Sequence, residues 1–363
     1  MEVYHHPVGK EAQRIEVQSC LLNGILKKGT CDSHEIARQM PPKTSFANRV
    51  KQLKTWLNCP SNSWYVRYLP CLEQILTNIA LSKGELVFVI DGTDIGQGCT
   101  ALMISLVWQK RSIPICWAVR KCKKGHLPES MHLELVKVLQ SVIQSNPIIK
   151  GKKIVLLGDG EFDGGQLTAY CQECGWLFVV RTAHNILIID QQESFNFNQL
   201  RDIAYPKGDD DGHFWAFLPH VLYTEKGFGY LNALFWQDKA YKDPLYLLTN
   251  FDLAFDAYDY YKRRFAIETL FGDLKSRGFN VHKSKIGEPL MLVRLLIPVC
   301  LAFLITWNTA LAKNADKIKH LVTPKHKQVL SVFKFGRCIW DLCLINAISI
   351  VLSLSMNSVI LLI

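Results

Sequence analysis

The order of elements legible in the chain predicts an α/β fold, because three apolar strands in quick succession are followed by helix, strand, helix and strand. Residues 1–80 read instead as short helices. Residues 183–250 interrupt the later part with aromatic, strand-forming segments separated by turn residues. With 363 residues, 49% of them hydrophobic, the chain has enough apolar mass for one large core with attached modules and too much for a disordered polymer.

In the N-terminal region the clearest helix spans Ser45 to Leu57, where Phe46, Val50, Leu53 and Leu57 share a face and Arg49, Lys51 and Lys54 lie elsewhere. Ser33 is placed to cap an earlier short helix reaching Ala37, and Pro41-Pro42 separates the two. A compact basic helical unit suits DNA binding. It suits equally a helical cap whose lysines are ordinarily solvated.

From Glu85 the pattern turns to strands. Leu86-Val87-Phe88-Val89-Ile90 ends at Asp91, and Ala101–Trp108 and Ile113–Val119 follow, joined by the turn-like Gln109-Lys110-Arg111-Ser112. Such close spacing predicts an antiparallel meander. A helix over Pro128 to about Gln144, a strand over Ile154–Leu157 ending at Asp159, a helix over Gln166–Cys174 and a strand over Trp176–Val180 complete the series. This is the order of a ribonuclease-H-like core, the retroviral-integrase type. The division it implies is an N-terminal helical domain (1–80), the first part of the core (81–182), an inserted β subdomain (183–250), the C-terminal part of the core (251–345) and a C-terminal helical tail (346–363). Within the insertion, Phe214–Phe217, Tyr230–Trp236 and Leu245–Leu248 read as strands, and Asp209-Asp210-Asp211-Gly212 as a solvated turn rather than a calcium loop.

Forty-two Lys and Arg against 32 Asp and Glu give a formal charge of +10, which favours an anionic partner. The 12 cysteines are scattered, and Cys171-Gln-Glu-Cys174 has no second CxxC to complete a zinc site. Reduced thiols and a cytoplasmic location are expected. Leu295–Ala312 and Leu342–Ile363 carry no charge and reach the length of a membrane span, but polar residues interrupt both, so buried helices and no membrane are expected.

Cleaving a phosphodiester means overcoming the repulsion between its charge and a nucleophile. Two Mg2+ ions roughly 3.5 to 4 Å apart do this, held by carboxylates at the ends of rigid elements. Asp91 and Asp159 each follow an apolar strand. A third acid is offered by the helix read over Ala257–Arg277, where Tyr261, Arg264, Glu268 and Lys275 fall within about 60° of one another at 100° per residue. Ile267, Leu270, Phe271 and Leu274 form an apolar stripe beside them.

Tyr261-x2-Arg264-x3-Glu268-x6-Lys275 resembles the Y-x2-R-x3-E-x6-K signature of insertion-sequence-4-like DDE transposases. Asp91-Gly92-Thr93 and Leu157-Gly158-Asp159-Gly160-Glu161-Phe162 resemble the blocks around that family's two aspartates, and the resemblance covers residues 30 to 345. It implies a magnesium-dependent endonuclease of DNA transposition and recombination. Asp91, Asp159 and Glu268 would be catalytic and hold two Mg2+, with Mn2+ able to substitute, and Tyr261, Arg264 and Lys275 would contact DNA phosphates. Cleavage at the terminal inverted repeats of double-stranded DNA, then strand transfer into target DNA by cut and paste, implies a homodimer on DNA. A related nuclease without strand transfer and an inactive DNA-binding derivative stand as alternatives.

Several neighbours compete or assist. Asp94 and Asp163 would replace Asp91 and Asp159 as ligands if the strand ends fall elsewhere, and Glu161 is placed to support them. Lys121, Lys123, Lys124 and His126 form one basic loop, and Lys313, Lys317, Lys319, Lys325 and Lys327 another basic stretch; each suits phosphate tracking or plain solvation. Trp215 and Trp236 suit sheet packing better than stacking on an unpaired base.

Overall fold

A computed structural model describes residues 8–190, 196–208, 212–223, 229–237, 242–312, 315, 319–322, 330–346, 350–351 and 360–361. Helices α1 (Gly9–Lys28), α2 (Ser33–Gln39), α3 (Phe46–Asn58), α4 (Trp64–Arg67) and α5 (Leu69–Ser82) lead the chain. α3 starts where its capping residue dictates, since the Ser45 side chain accepts from the Asn48 N–H at 3.3 Å, and it buries Val50, Leu53, Trp56 and Leu57. For α2 the cap is Asp32 rather than Ser33: its carboxylate accepts from the His34 N–H at 2.8 Å and Ser33 becomes the first helical residue.

β1 (Glu85–Ile95), β2 (Cys99–Trp108) and β3 (Arg111–Arg120) form the expected antiparallel meander. α6 (Glu129–Ser145) and α7 (Pro147–Lys150) lead to β4 (Lys153–Gly158), parallel to β1, and α8 (Gly165–Glu173) to β5 (Leu177–Arg181), parallel to β4. β1 does not stop at Asp91. It runs on to Ile95 against β2, because only its pairing with β4 ends there.

β6 (Leu187–Ile189), β7 (Asn198–Gln199), α9 (Leu200–Ile203), β8 (Lys207–Gly208), β9 (Phe214–Tyr223), β10 (Tyr230–Gln237) and β11 (Leu245–Thr249) occupy the stretch read as an inserted subdomain. They build no sheet of their own. β11 pairs antiparallel with β5, and the order β3-β2-β1-β4-β5-β11-β10-β9-β6-β7, with β8 on β9, makes one mixed sheet among the described residues. An unpaired edge at β5 would expose a row of backbone groups. β11 covers it, and the junction is locked by Thr249 Oγ1 donating to the Phe178 carbonyl at 2.7 Å and the Phe178 N–H donating to Asn250 Oδ1 at 2.9 Å. Asp209, Asp210 and Asp211 lie outside the described residues.

The helix read as Ala257–Arg277 is α10 (Ala254–Lys262), a 3₁₀ turn (Arg263–Phe265) and α11 (Ala266–Leu274). It ends early because the chain doubles back: the Arg277 N–H bonds to the Gly272 carbonyl at 3.0 Å and the Asn280 N–H to the Lys275 carbonyl at 2.8 Å. A side chain at Gly278 would meet the Asp273 carbonyl at 2.0 Å, so glycine is what permits the fold-back.

α12 (Pro289–Ala310) is the apolar segment. Its most apolar window has a mean hydropathy of 2.3 and is 78% buried in the protein; among the described residues it is the one helix long and apolar enough to cross a membrane by length and composition. α12 packs on α1, α3 and β3 and against α14 (Val332–Ile345), which follows the short α13 (Lys319–Val322). Trp117 Nε1 donates to the Val293 carbonyl at 2.9 Å and Arg294 Nη1 to the Leu57 carbonyl at 3.0 Å. The N-terminal helices, the sheet and α12 share one continuous hydrophobic core, so residues 9–82 pack as a layer of the same body. Where a helical tail was expected, β12 (Ile350–Val351) pairs antiparallel with β13 (Ile360–Leu361), in keeping with the alternation of apolar residues and serine there. Lys313, Lys317, Lys325 and Lys327 lie outside the described residues.

Candidate active site

The site begins with a register. Ile90 and Gly158 are the last parallel pair between β1 and β4, so Asp91 and Asp159 follow as neighbours on adjacent strands. Strands stand ~4.8 Å apart, close enough for the two carboxylates to feel each other's charge. Gly158 lets β4 end in a tight turn: a Cβ there would meet the Phe162 Cβ at 2.7 Å, and the Phe162 N–H returns to the Asp159 carbonyl at 3.1 Å. The Glu161 N–H donates to Asp159 Oδ1 at 3.1 Å, while Glu161 Oε1 accepts from the Leu127 N–H at 3.1 Å and ties the turn to the loop after β3.

Asp91 is 2% exposed. Its Oδ1 accepts from the Gly92 N–H at 2.7 Å and lies 3.5 Å from Lys124 Nζ; its Oδ2 lies 3.6 Å from Arg264 Nη1. Burial pushes the Asp91 carboxyl up to about 6, with Asp159 adding to the rise and Lys124 and Arg264 opposing it. Arg264 Nη2 also donates to Glu268 Oε1 at 3.0 Å, so one guanidinium links an acid of β1 to the acid of α11. Burial pulls Arg264 down, but Tyr261, Asp91, Glu268 and Asp159 outweigh it and its pKa is raised. Its Nε is buried without a partner among the described residues.

Tyr261 is buried, with Arg264 Cζ 5.7 Å from its ring centroid. Burial raises its phenol, against the pull of Arg264 and Arg181. Lys275 lies just past α11, lowered by burial and held up by Asp94 and Asp91. The structure therefore gathers Asp91, Asp159, Tyr261, Arg264 and Glu268 around one spot, with Lys275 at its edge. Glu268 reaches Asp91 only through Arg264. Among the described residues, no three His, Cys, Asp or Glu side chains converge closely enough to hold a metal ion.

The donor chemistry fits a hard divalent cation all the same: two adjacent carboxylates, one of them pushed towards its neutral form by burial, with the neighbouring Asp159 adding to the rise. The competing acids each have a hydroxyl partner. Asp94 Oδ1 accepts from Thr100 Oγ1 at 2.9 Å and Asp163 Oδ2 from Thr182 Oγ1 at 2.6 Å. Of the basic loop, Lys124 alone reaches an acid of the site. Arg181, at the end of β5, was invisible in the sequence as a site residue because it sits in an apolar strand with no motif around it. Trp236 is 1% exposed and stacks on Tyr258 at 4.0 Å, and Trp215 meets Phe255 edge-on at 5.5 Å, so both serve packing. All twelve cysteines are free thiols, and Cys171 is buried.

Residues 82–305, well over half the chain, match the family model described as the transposase DDE domain. No curated protein sequence matches. Among solved structures the chain is similar to the catalytic domain of human endonuclease V, with 13% identity over 57% of this chain and 81% of that one and a TM-score of 0.27. It is similar to Marinitoga piezophila Argonaute in complex with guide RNA and target DNA, with 11% identity over 71% and 36% and a TM-score of 0.25. A second structure, of human ENDOV, gives 14% identity over 59% and 92% and a TM-score of 0.25. These structural likenesses are too slight to bear weight.

Proposed function

Since the chain belongs to the family of transposase DDE domains, we propose that it is the transposase of an insertion sequence, cleaving phosphodiester bonds at transposon ends and transferring the freed 3′-hydroxyl into target DNA. The observation that carries this reading is the placement of Asp91 and Asp159 side by side just beyond the Ile90–Gly158 pair, with Arg264 joining Asp91 to Glu268. The strand order β3-β2-β1-β4-β5, antiparallel in its first three members and parallel from β1 through β5, supports a ribonuclease-H-like core. The spacing of Tyr261, Arg264, Glu268 and Lys275 supports the insertion-sequence-4-like branch.

Asp91, Asp159 and Glu268 would hold two Mg2+ ions, or Mn2+ in their place. Bound there, the ions supply positive charge to the attacking and leaving oxygens of an in-line displacement. The protein's own groups position the strand. Arg264 keeps its charge and offers a planar fork that matches a phosphate as well as it matches Asp91 and Glu268, and Lys124 and Lys275 add point charges nearby. The rings of Tyr261 and Phe162 are buried beside these groups. Asn48, Lys51, Thr55 and Asn58 form an exposed face of α3 without an acid, which supports contact of the N-terminal helices with double-stranded DNA. Joining two transposon ends calls for a homodimer on DNA, and free thiols suit a reducing cytoplasm.

The test is cleavage, with Mg2+, of a labelled duplex that carries the ends flanking the gene. Wild type should nick at the end and join the 3′-hydroxyl to a second duplex, while Asp91→Ala, Asp159→Ala and Glu268→Ala bind but do not cut. Nicking without joining would leave a nuclease; binding without nicking would leave a DNA-binding derivative.

A further inference from the structure

A second cleft opens at the start of β1. The β2–β3 hairpin closes through Gln109 and Lys110, both in left-handed conformation at φ 48° and 62°, and its tip stands across from the outward side of α10 and α11. Between them lies a cleft of about 640 Å³, floored by the start of β1 and bounded by the end of α5.

Its chemistry is basic and aromatic. Lys83, Lys110, Lys262 and Arg263 line it against two acids, Glu85 and Asp259. Both acids are already engaged: Glu85 by Tyr260 and by Arg263 at 3.1 Å, Asp259 by Lys262 at 2.5 Å. Among the described residues Lys83 and Lys110 have no acidic partner, so the cleft keeps uncompensated positive charge. Trp108 is half-buried on one wall with Lys83 Nζ 5.6 Å from its ring centroid, and Phe265 on the other is 41% exposed.

Flat rings beside ammonium groups that have no acidic partner recognise a strand whose bases are unstacked and whose phosphates lie within reach. A duplex keeps its bases paired inside and is too wide for a cleft of this volume. We infer that this cleft binds a short unpaired stretch of a DNA strand, its bases against Trp108 and Phe265 and its phosphates on Lys83 and Lys110. The inference rests on the reading of the chain as a DNA-processing enzyme only for the choice of ligand. Arg263 and Arg264 then border the two places, Arg263 lining this cleft and Arg264 paired with Asp91.

The test uses the full chain and a fluorescein-labelled oligothymidylate, read by anisotropy across a salt series, with cleavage of the labelled duplex in parallel. Lys83→Ala with Lys110→Ala should weaken oligothymidylate binding about tenfold and reduce the log–log salt slope by about 1.4, as expected for two phosphate contacts on a single strand. Trp108→Leu should weaken it by a similar factor with the slope unchanged and should remove part of the tryptophan quenching seen on binding; thermal melting checks that it folds. Unchanged affinity and full quenching in these variants would overturn the inference while leaving cleavage, and so the enzyme class, intact. Equal losses for oligothymidylate and duplex would overturn it in favour of general electrostatic attraction, and loss of self-association alone, seen by sedimentation, would assign the cleft to a second copy of the chain. Cleavage absent with oligothymidylate binding as expected would separate failure of the functional reading from failure of this one.

Discussion

Arg263 and Arg264 are neighbours in sequence and serve different points of one strand: Arg263 Nη1 lies 3.1 Å from Glu85 Oε1 where β1 begins, and Arg264 Nη1 lies 3.6 Å from Asp91 Oδ2 further along. In the 3₁₀ turn that holds them, three residues per turn set successive side chains about 120° apart. The break that separates α10 from α11 therefore divides two basic neighbours between two sites.

Arg264→Ala should destabilise the fold by about 3 kcal/mol in urea denaturation at neutral pH, because Asp91 is buried and would lose a charged partner. Arg264→Lys keeps the charge without the fork, so it should retain most stability and still lose DNA cleavage. Equal destabilisation by both would point to packing against Phe265 rather than to charge.

Lys124 is half exposed but lies 3.5 Å from the buried Asp91, so Lys124→Ala should cost about 1–3 kcal/mol in urea denaturation, no more than Arg264→Ala. Duplex affinity should fall severalfold and the log–log salt slope by about 0.9. A slope equal to that of wild type would take Lys124 off the nucleic-acid surface.

His132 should steepen acid unfolding. It is 2% exposed, its ring centroid is 4.6 Å from that of Phe162, and burial holds its imidazole down to about 4 although Glu129 and Asp159 pull upward. In the unfolded chain the group titrates near 6.5. Between those values the unfolded chain takes up a proton that the folded one refuses, so stability is lost as pH falls from about 6.5 to about 4 and the loss levels off below. Calorimetry of His132→Leu should show a shallower fall in melting temperature over that window. Parallel curves would exclude His132 as the titrating group.

Gly336 lets α14 lie on α12: a Cβ there would meet the Thr306 carbonyl oxygen at 2.0 Å. Since backbone cannot rotate aside as a side chain can, Gly336→Ala should cost about 1–3 kcal/mol in denaturant midpoint experiments. A neutral result would show that α14 can slide.

The strands and their order were legible because five short apolar runs bounded by turn residues and acids leave few arrangements, and Asp91 and Asp159 stand at the ends of two of them. Other features depended on contacts far apart in sequence. That β11 would close the edge of β5 follows from Leu247 and Leu248 finding Arg181 and Val180, a pairing with no local signal. The end of α11 was hidden for the same reason: Ile267, Leu270, Phe271 and Leu274 keep helical spacing to the last turn, and only the fold-back over Gly278 stops it. In the site, the motif spacing marked Arg264 and Glu268 but not the bond between them, nor the reach of Lys124 from a loop remote in sequence.

The position of α12 has a consequence for how the chain acquires its shape. α1 and α3 bury their apolar faces on a helix that begins at Pro289, and α14 returns to α1, where Arg337 meets the Leu26 carbonyl. During synthesis the first helices therefore emerge long before the surface that completes them, and must wait with their apolar sides uncovered or held by chaperones. Contacts this distant in sequence slow folding. A chain cut short before Pro289 should consequently be recovered as aggregate rather than as a working N-terminal fragment.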